Sequence, residues 1–484
     1  MTAASPSVRS SWRPKPASEP LFAAALFVAA LLPRIYVALA WSREPVWDGH
    51  YYDFGARRIA AGLGYSDDRS IAGLLVWHPW CHYPVGYSAF LAAFYRVFGA
   101  THAVAGAANA LVGAALAVVT WALARFGLSS ARARIAGFLV AFHPGLVLYS
   151  ALLMSEPLAA LLTLAAFWLA VRDSGRRGLA AGALVLGVAA LVRPQALLCA
   201  PFLACAGSNA IRERLPLAAA ACVLALVPVL PWTARNCRVM DGCALVSTNG
   251  GWNLAIGAFP RATGRFETLR ATDGCRDVTG QVQQDRCWLA YGIEQIREHP
   301  WHWLSLIPAK LGFTFDHESF AVEYLHEAMP QAWAEERRVR IRESTTLAHR
   351  FLVAAAALGC IGLPLGRSVR PGALATQAAL FVIAAALGGV ALFSDSPAFW
   401  PLVVFTAITP WLPLDGRPPF PPALVLGVAL LGTLIVTHAV FFGEDRYHVV
   451  VSPVFAILAA GALRRSTVGS SSVPRRGDVL LQMD

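Results

Sequence analysis

Residues 21–41 read LFAAALFVAALLPRIYVALAW, and soon after comes Trp47-Asp48-Gly49-His50-Tyr51-Tyr52-Asp53. An apolar run of about 20 residues is long enough to cross the hydrocarbon core as a helix. It is too long for a signal-peptide core, and no small-residue cleavage site follows it, so it reads as a retained span. Asp48 therefore stands where the chain first leaves the membrane, and an acid there does nothing for membrane insertion.

Similar apolar runs recur along the 484 residues, of which 57% are hydrophobic and only 14% charged. A soluble chain carries about 25% charged residues. A spanning segment must satisfy its own backbone hydrogen bonds, and nothing alternates with a barrel's period of two, so the spans are expected to be helices. The fold class is all-α and polytopic, with about twelve spans: roughly 21–41, 101–124, 135–150, 152–171, 178–192, 195–207, 215–233, 348–366, 373–393, 398–413, 421–441 and 448–463. The net charge of +11 does not point to nucleic acid, because the arginines fall in short clusters between spans, where they set topology. With the N-terminus inside, Arg125, Arg132 and Arg134, then Arg172, Arg176 and Arg177, then Arg212 and Arg214 all lie on the inner side. So do Arg367 and Arg370, Arg417, and Arg464 and Arg465.

Residues 178–207 form one apolar stretch broken at Arg193-Pro194. A single straight helix would reach about 45 Å, too long for a core of about 30 Å. Basic residues flank both ends, so the stretch reads as a tight helical pair turning at Pro194, with Arg193 near the outer face.

This division gives a cytoplasmic tail over 1–20, an N-terminal transmembrane module over 21–233 with a first outer loop at 42–100, an outer loop at 234–346, C-terminal spans over 347–465, and a tail over 466–484. Both outer loops carry amphipathic stretches suited to lying in the interface, Phe54 to Leu63 and Trp301 to Gly312. Segment 325–345, dense in Glu and Arg, reads as a solvated helix. Cys237, Cys243, Cys275 and Cys287 all fall in the second outer loop, and an even count on the oxidising side suggests disulfides. The local pairings are Cys237 with Cys243 and Cys275 with Cys287, although four cysteines allow three connectivities.

Several residues could carry chemistry at such a boundary. Asp48 could be a general base, or simply an N-cap for the helix that follows. Asp53 could join it, or only pair with Arg57 at i+4. Tyr52, His82 and Tyr83 flank the turn at Pro84-Val85-Gly86-Tyr87. His50, His78 and His82 could join Asp48 in a metal or acceptor site. Glu156, next to Pro157, is an ionisable residue at membrane depth, or a helix N-terminal charge favoured by the macrodipole. Arg193 and Arg446 suit bidentate phosphate binding, with Lys310 as a third cation; snorkelling to headgroups is the plain alternative. Arg446, followed by Tyr447, breaks the positive-inside pattern, which favours a specific anion. Ser247 to Leu254 is a turn in which Asn249, Trp252 and Asn253 could wall a sugar.

Together these residues resemble the GT-C superfamily of glycosyltransferases, most closely the branch holding protein O-mannosyltransferases and aminoarabinose transferases. The resemblance rests on Asp48 with Tyr52, Ala56, Gly62 and Gly64, then Tyr83 to Tyr87. It continues through Ser155-Glu156-Pro157, Arg193-Pro194, Arg235-Asn236, Ser247 to Leu254, Gly257 and Ala262-Thr263-Gly264, and ends at Arg446-Tyr447 with Pro453. It implies a polyprenyl-phosphate-linked sugar as donor and transfer on the extracytoplasmic face, in a bacterial inner membrane if the Ala- and Arg-rich usage reflects the source. It also implies an interfacial helix pair in the first loop and Asp48 as its catalytic acid. The acceptor could be lipid, glycan or protein. Two positions depart from the family: its Pro-Pro-Gly is Pro84-Val85-Gly86 here, and the second acid many members carry beside the first is Gly49. Some relatives bind a divalent metal ion, but no ligand cluster in this sequence demands one. A transporter or flippase of a lipid-linked sugar would explain the spans and the outer arginines equally well, but not acids concentrated in loops.

Overall fold

The structure, a computed structural model, describes residues 19–41, 43–207, 211–270, 272–361, 371–393, 398–412 and 420–461. Most of both terminal tails, and Arg367, Arg370, Arg417, Arg464 and Arg465, lie outside the described residues. The described residues are mostly helical, and the chain is an integral membrane protein. Each of the twelve apolar runs carries a helix, but they differ in reach. Among the described residues, five helices are long and apolar enough to cross a membrane: Glu19–Trp41, His102–Ala124, Glu335–Ile361, Ala375–Leu392 and Pro422–Val440. The number rises to seven if each of two bent pairs counts as one span.

The bends have local causes. Ser130–Ala141 and Pro144–Ala151 meet at 53°, because a residue before proline is pushed out of the helical region and His143 sits at ψ 119°. Arg212–Leu226 and Leu230–Val239 meet at 49°, around Pro228 and Pro231. The last carbonyls of a broken helix have no partner within it. Arg34, fully buried within the first span, supplies one: its guanidinium donates to Val140 O at 2.8 Å and Ala141 O at 2.5 Å.

The pair expected at Pro194 is there. Helix Arg176–Val192 stops at Arg193, and Pro194–Ala206 continues as a 3-10 helix. At about 2.0 Å per residue, those 13 residues reach about 26 Å.

In the first loop, helices Asp48–Ala60 and Val85–Phe98 pack together as the expected pair. Gly62 and Gly64 follow the first of them at φ 80° and 71°, a region open to glycine at no steric cost. The all-α expectation needs one correction here. Ser66–Ile71 and Leu74–Pro79 form an antiparallel hairpin around Ala72-Gly73. That turn lacks the Asn-Gly or Asp-Gly signal that marks a hairpin in sequence; Asp67–His78 joins its two strands, and Arg58–Asp68 ties it to helix Asp48–Ala60.

In the second loop, the aromatic stretch forms two short helices, Pro300–Ser305 and Ile307–Phe315, separated just before Pro308. The acidic-basic segment is not a separate helix. Its first residues end helix Phe320–Ala328, and from Glu335 it opens the 27-residue helix Glu335–Ile361, which runs on into apolar sequence. Disulfides join Cys237 to Cys243 and Cys275 to Cys287.

Candidate functional site

A cavity of about 800 Å³ gathers loop and helix-end residues from across the chain. Asp48, Tyr52, His82, Tyr83, Arg193, Asn249, Trp252, Asn253, Arg446 and Tyr447 all line it. Ser155, part of the Ser155-Glu156-Pro157 motif, lines it too, as do Tyr51, Trp80, His438 and Phe442, which the sequence reading did not assign to the site.

Asp48 opens its helix behind Trp47, whose φ of 50° is a strained value for a bulky residue. The Trp47 ring is fixed by Phe320 and Tyr324, at 5.4 and 5.8 Å between centroids. Asp48 is not a cap: the N-cap residue is Trp47, and the carboxylate turns into the cavity. One oxygen accepts from the Tyr83 hydroxyl at 2.8 Å, the other from Arg446 Nη1 at 2.5 Å. Burial pushes the carboxyl up, but Arg446, the Tyr83 hydroxyl and Arg193 outweigh it and hold the group below the usual carboxylate range. Gly49 also has a reason: a Cβ there would collide with the Tyr324 hydroxyl, so no second acid fits beside Asp48.

Behind Asp48 the charges alternate. Arg446 Nε meets Glu444 at 2.6 Å and lies 4.0 Å from Glu156. Glu156 is fully buried and meets Arg193 Nη1 at 2.5 Å. Arg193 also donates to Ser155 Oγ at 3.3 Å. Burial pushes the Glu444 carboxyl up against the pull of Arg446. Asp48, Glu156 and Glu444 thus stand against the two guanidiniums of Arg193 and Arg446. Both guanidiniums lie against the Tyr447 ring, at 5.2 and 5.1 Å, and Tyr447 stacks on His438 at 4.2 Å. The pair is thus held at cavity level by aromatic faces.

The opposite wall is aromatic and amide-rich. His82 packs edge-on against Trp252 at 4.8 Å and against Tyr83 at 5.0 Å. Burial lowers His82 to about 4 despite Asp48, so it is neutral at pH 7. The turn bearing Asn249, Trp252 and Asn253 is held from outside the cavity: Asp285 accepts from the amides of Gly251 and Trp252 at 2.8 and 3.1 Å. Asp285 lies on the helix Gln281–Glu298, and nothing in its own stretch of sequence marks that role.

Three candidates are placed elsewhere. Asp53 is bound by the Tyr95 hydroxyl and by Arg57 at 2.6 Å, the i+4 partner. Lys310 donates to Val440 O at 3.2 Å and Ala439 O at 3.4 Å and lies over the Trp303 ring. It is pushed down to about 8 by burial, and it caps the helix Pro422–Val440 instead of reaching the cavity. Glu156 lies beneath the lining, behind Arg193. Of the histidines, His50 stands beside Tyr51 and His78 pairs with Asp67 at 2.6 Å, so only His82 reaches Asp48's neighbourhood.

Residues 82–232 match the model of the family described as dolichyl-phosphate-mannose-protein mannosyltransferase. This stretch runs from His82 through Glu156 and Arg193 and bears out the resemblance seen in the sequence. No curated protein matches. Solved structures do. One is the archaeal oligosaccharyltransferase AglB from Archaeoglobus fulgidus in complex with an inhibitory peptide and a dolichol-phosphate, at 14% identity and a TM-score of 0.44, covering 92% of this chain and 50% of that one. Another is ArnT from Cupriavidus metallidurans bound to undecaprenyl phosphate, at 16% identity and a TM-score of 0.34, covering 92% of this chain and 77% of that one. The chain spans about half the length of AglB. Both likenesses are too distant to speak for activity.

Proposed function

We propose that the chain is a membrane glycosyltransferase that moves a sugar from a polyprenyl-phosphate donor to an acceptor hydroxyl, with inversion at the anomeric carbon. The observation that carries this reading is the meeting of Asp48, Arg193 and Arg446, from three distant parts of the chain, in one cavity. A volume of about 800 Å³ is within the range of small-molecule sites, about 300–1,000 Å³. Leu197, Leu198, Leu245, Phe441 and Phe442 give it an apolar side suited to the start of a prenyl chain.

The resting contacts suggest how the reaction is primed. Arg446 holds Asp48 ionised but makes it a weak base. A donor phosphate, a bidentate acceptor, draws Arg446 and Arg193 onto itself, and Asp48 loses the cation that depressed it. The acceptor hydroxyl then attacks the anomeric carbon as its proton passes to Asp48. The sugar–phosphate C–O bond breaks, and the two guanidiniums take up the charge developing on the leaving phosphate. Neutral His82, Trp252, Asn249 and Asn253 form the wall a sugar or acceptor would face. In this reading all twelve apolar runs cross or enter the bilayer, and the cavity opens on the extracytoplasmic face of a bacterial inner membrane. The donor sugar is a hexose or pentose.

The test uses purified chain in detergent with a panel of polyprenyl-phosphate sugars, following release of free polyprenyl phosphate with candidate lipid, glycan and peptide acceptors. A positioned base contributes about 10²–10⁴-fold, so D48N should lose at least about 100-fold in release while still binding donor. Undiminished release by D48N would remove the assignment. Arg193-dependent donor binding with no release for any donor and acceptor would favour a carrier of the lipid-linked sugar.

A further inference from the structure

A second polar cluster lies outside the cavity and takes no part in the chemistry above. Glu318, in the loop before helix Phe320–Ala328, is 4% exposed. Around it stand His143 at the break before Pro144, His349 on helix Glu335–Ile361, and His448 just after Tyr447, at 5%, 0% and 0% exposure. Ligand atoms of Glu318, His349 and His448 all lie within 4.8 Å of one another.

The unused atoms are the informative ones. Both Glu318 oxygens, His349 Nδ1, His448 Nε2 and His143 Nε2 are buried without a hydrogen-bond partner. An unpaired carboxylate in such a place is costly. The other ring nitrogens are committed. His448 Nδ1 meets Thr314 O at 2.8 Å, and His349 Nε2 meets Phe315 O at 2.9 Å. Each donates to a carbonyl, so in the neutral rings His448 Nε2 and His349 Nδ1 carry the lone pairs, and the ligand atoms of both lie within 4.8 Å of Glu318. Metal-bound histidines are fixed in this way, by a second nitrogen donating to a backbone carbonyl. His143 differs: its Nδ1 accepts from the Leu146 amide at 3.4 Å, so its Nε2 carries the proton and points at Glu318 Oε2, 3.7 Å away.

His448 Nε2 also stands 3.7 Å from Glu318 Oε2. That is too long for a hydrogen bond. It is near the ~3.3 Å between two ligands on one tetrahedral ion with bonds of about 2.0–2.1 Å. The surroundings are shaped around the carboxylate: a Cβ on Gly145 would collide with Glu318 Oε1, and the Glu318 backbone is held on both sides by Thr345 and Thr346. A separate cavity of about 560 Å³ is lined by His317 and Ser319, the residues on either side of Glu318.

We propose that Glu318, His349 and His448 bind a divalent transition-metal ion of the zinc type, with His143, whose Nε2 faces the Glu318 carboxylate, as a positioning residue. Two imidazoles and one carboxylate are a zinc donor set that leaves a fourth position open. A hard ion such as magnesium would call for more oxygen ligands. The site ties the loop after Ile307–Phe315 to the start of the final helix, immediately behind Arg446 and Tyr447.

The test is metal content, which needs no knowledge of substrate. Full-length chain in detergent is loaded with zinc, dialysed, and measured by elemental mass spectrometry and zinc K-edge absorption. The expected result is close to one zinc per chain, with a nitrogen–oxygen shell containing two imidazoles. H349Q and H448Q should lose it, H82N should keep it, and H143N should weaken it by about 10–100-fold. Chelation should lower the Tm of the native chain and leave that of E318Q unchanged. If the ligand variants fail to fold, the absorption spectrum of the native chain decides alone. No zinc on the folded native chain, zinc retained by H349Q and H448Q, or a shell with sulfur or without imidazole would each overturn the site.

Discussion

Glu156 and Glu318 are both buried acids, but Glu156 meets Arg193 at 2.5 Å while Glu318 meets imidazoles at 3.7 Å. The first region is a set of permanent charges already matched in sign, with guanidiniums free to change partners when an anion arrives. The second is an excess of lone pairs around one carboxylate, with the rings held by backbone carbonyls. One arrangement awaits an anion and the other a cation.

This contrast can be broken by removing each acid. E156Q leaves Arg193 buried without its counter-charge, and breaking a buried pair in this way costs about 3–5 kcal/mol. E318Q in chelated protein removes a carboxylate that has no guanidinium and should cost clearly less. Denaturation of both variants in the same detergent measures the difference, and equal losses would erase the distinction. A smaller effect sharpens the first region. G49A forces a methyl group into the Tyr324 hydroxyl, and overpacking of this kind costs about 1–3 kcal/mol. Pairing it with Y324F should recover part of the loss in a double-mutant cycle, whereas purely additive losses would show that the tyrosine does not set residue 49.

The smallest effect is a pH slope. His82 has its folded pKa lowered to about 4 against about 6.5 in the unfolded chain. Between those values the unfolded state binds more protons, so stability falls as pH drops from about 6.5 toward 4. H82N should flatten this part of a Tm-against-pH curve, and an unchanged slope would assign it to other groups. Asp48, with its folded pKa depressed, adds stability above about 3.9 that is lost only as pH falls through its lowered value. Its contribution therefore lies mostly below the His82 window.

The cavity was legible in the sequence because its residues are conspicuous one at a time. Asp48, Arg193, Arg446 and Trp252 are charged or aromatic residues at the ends of apolar runs or in short turns, where topology alone brings them to one boundary. The metal cluster was not legible. His349 lies inside a long helix that begins polar, Glu318 belongs to no motif, and His448 reads as a span-opening residue; only tertiary packing joins them. Lys310 and Asp53 illustrate the opposite error, charges near the right boundary that are used up by a helix terminus and an i+4 partner. The hairpin was missed because Ala72-Gly73 carries little turn signal, and Arg34 because its partners are over 100 residues away, at a break whose unpaired carbonyls a linear reading does not show.

Arg34 also constrains the order of assembly during synthesis. The Glu19–Trp41 helix is made long before residues 140 and 141, the carbonyls its guanidinium holds. Until they arrive, the first helix keeps a charge in mid-span, at an insertion cost of about 2.5–3.5 kcal/mol. The first helix thus keeps an unmatched charge until the third apolar run is made, and the early spans are committed to each other before the later ones exist.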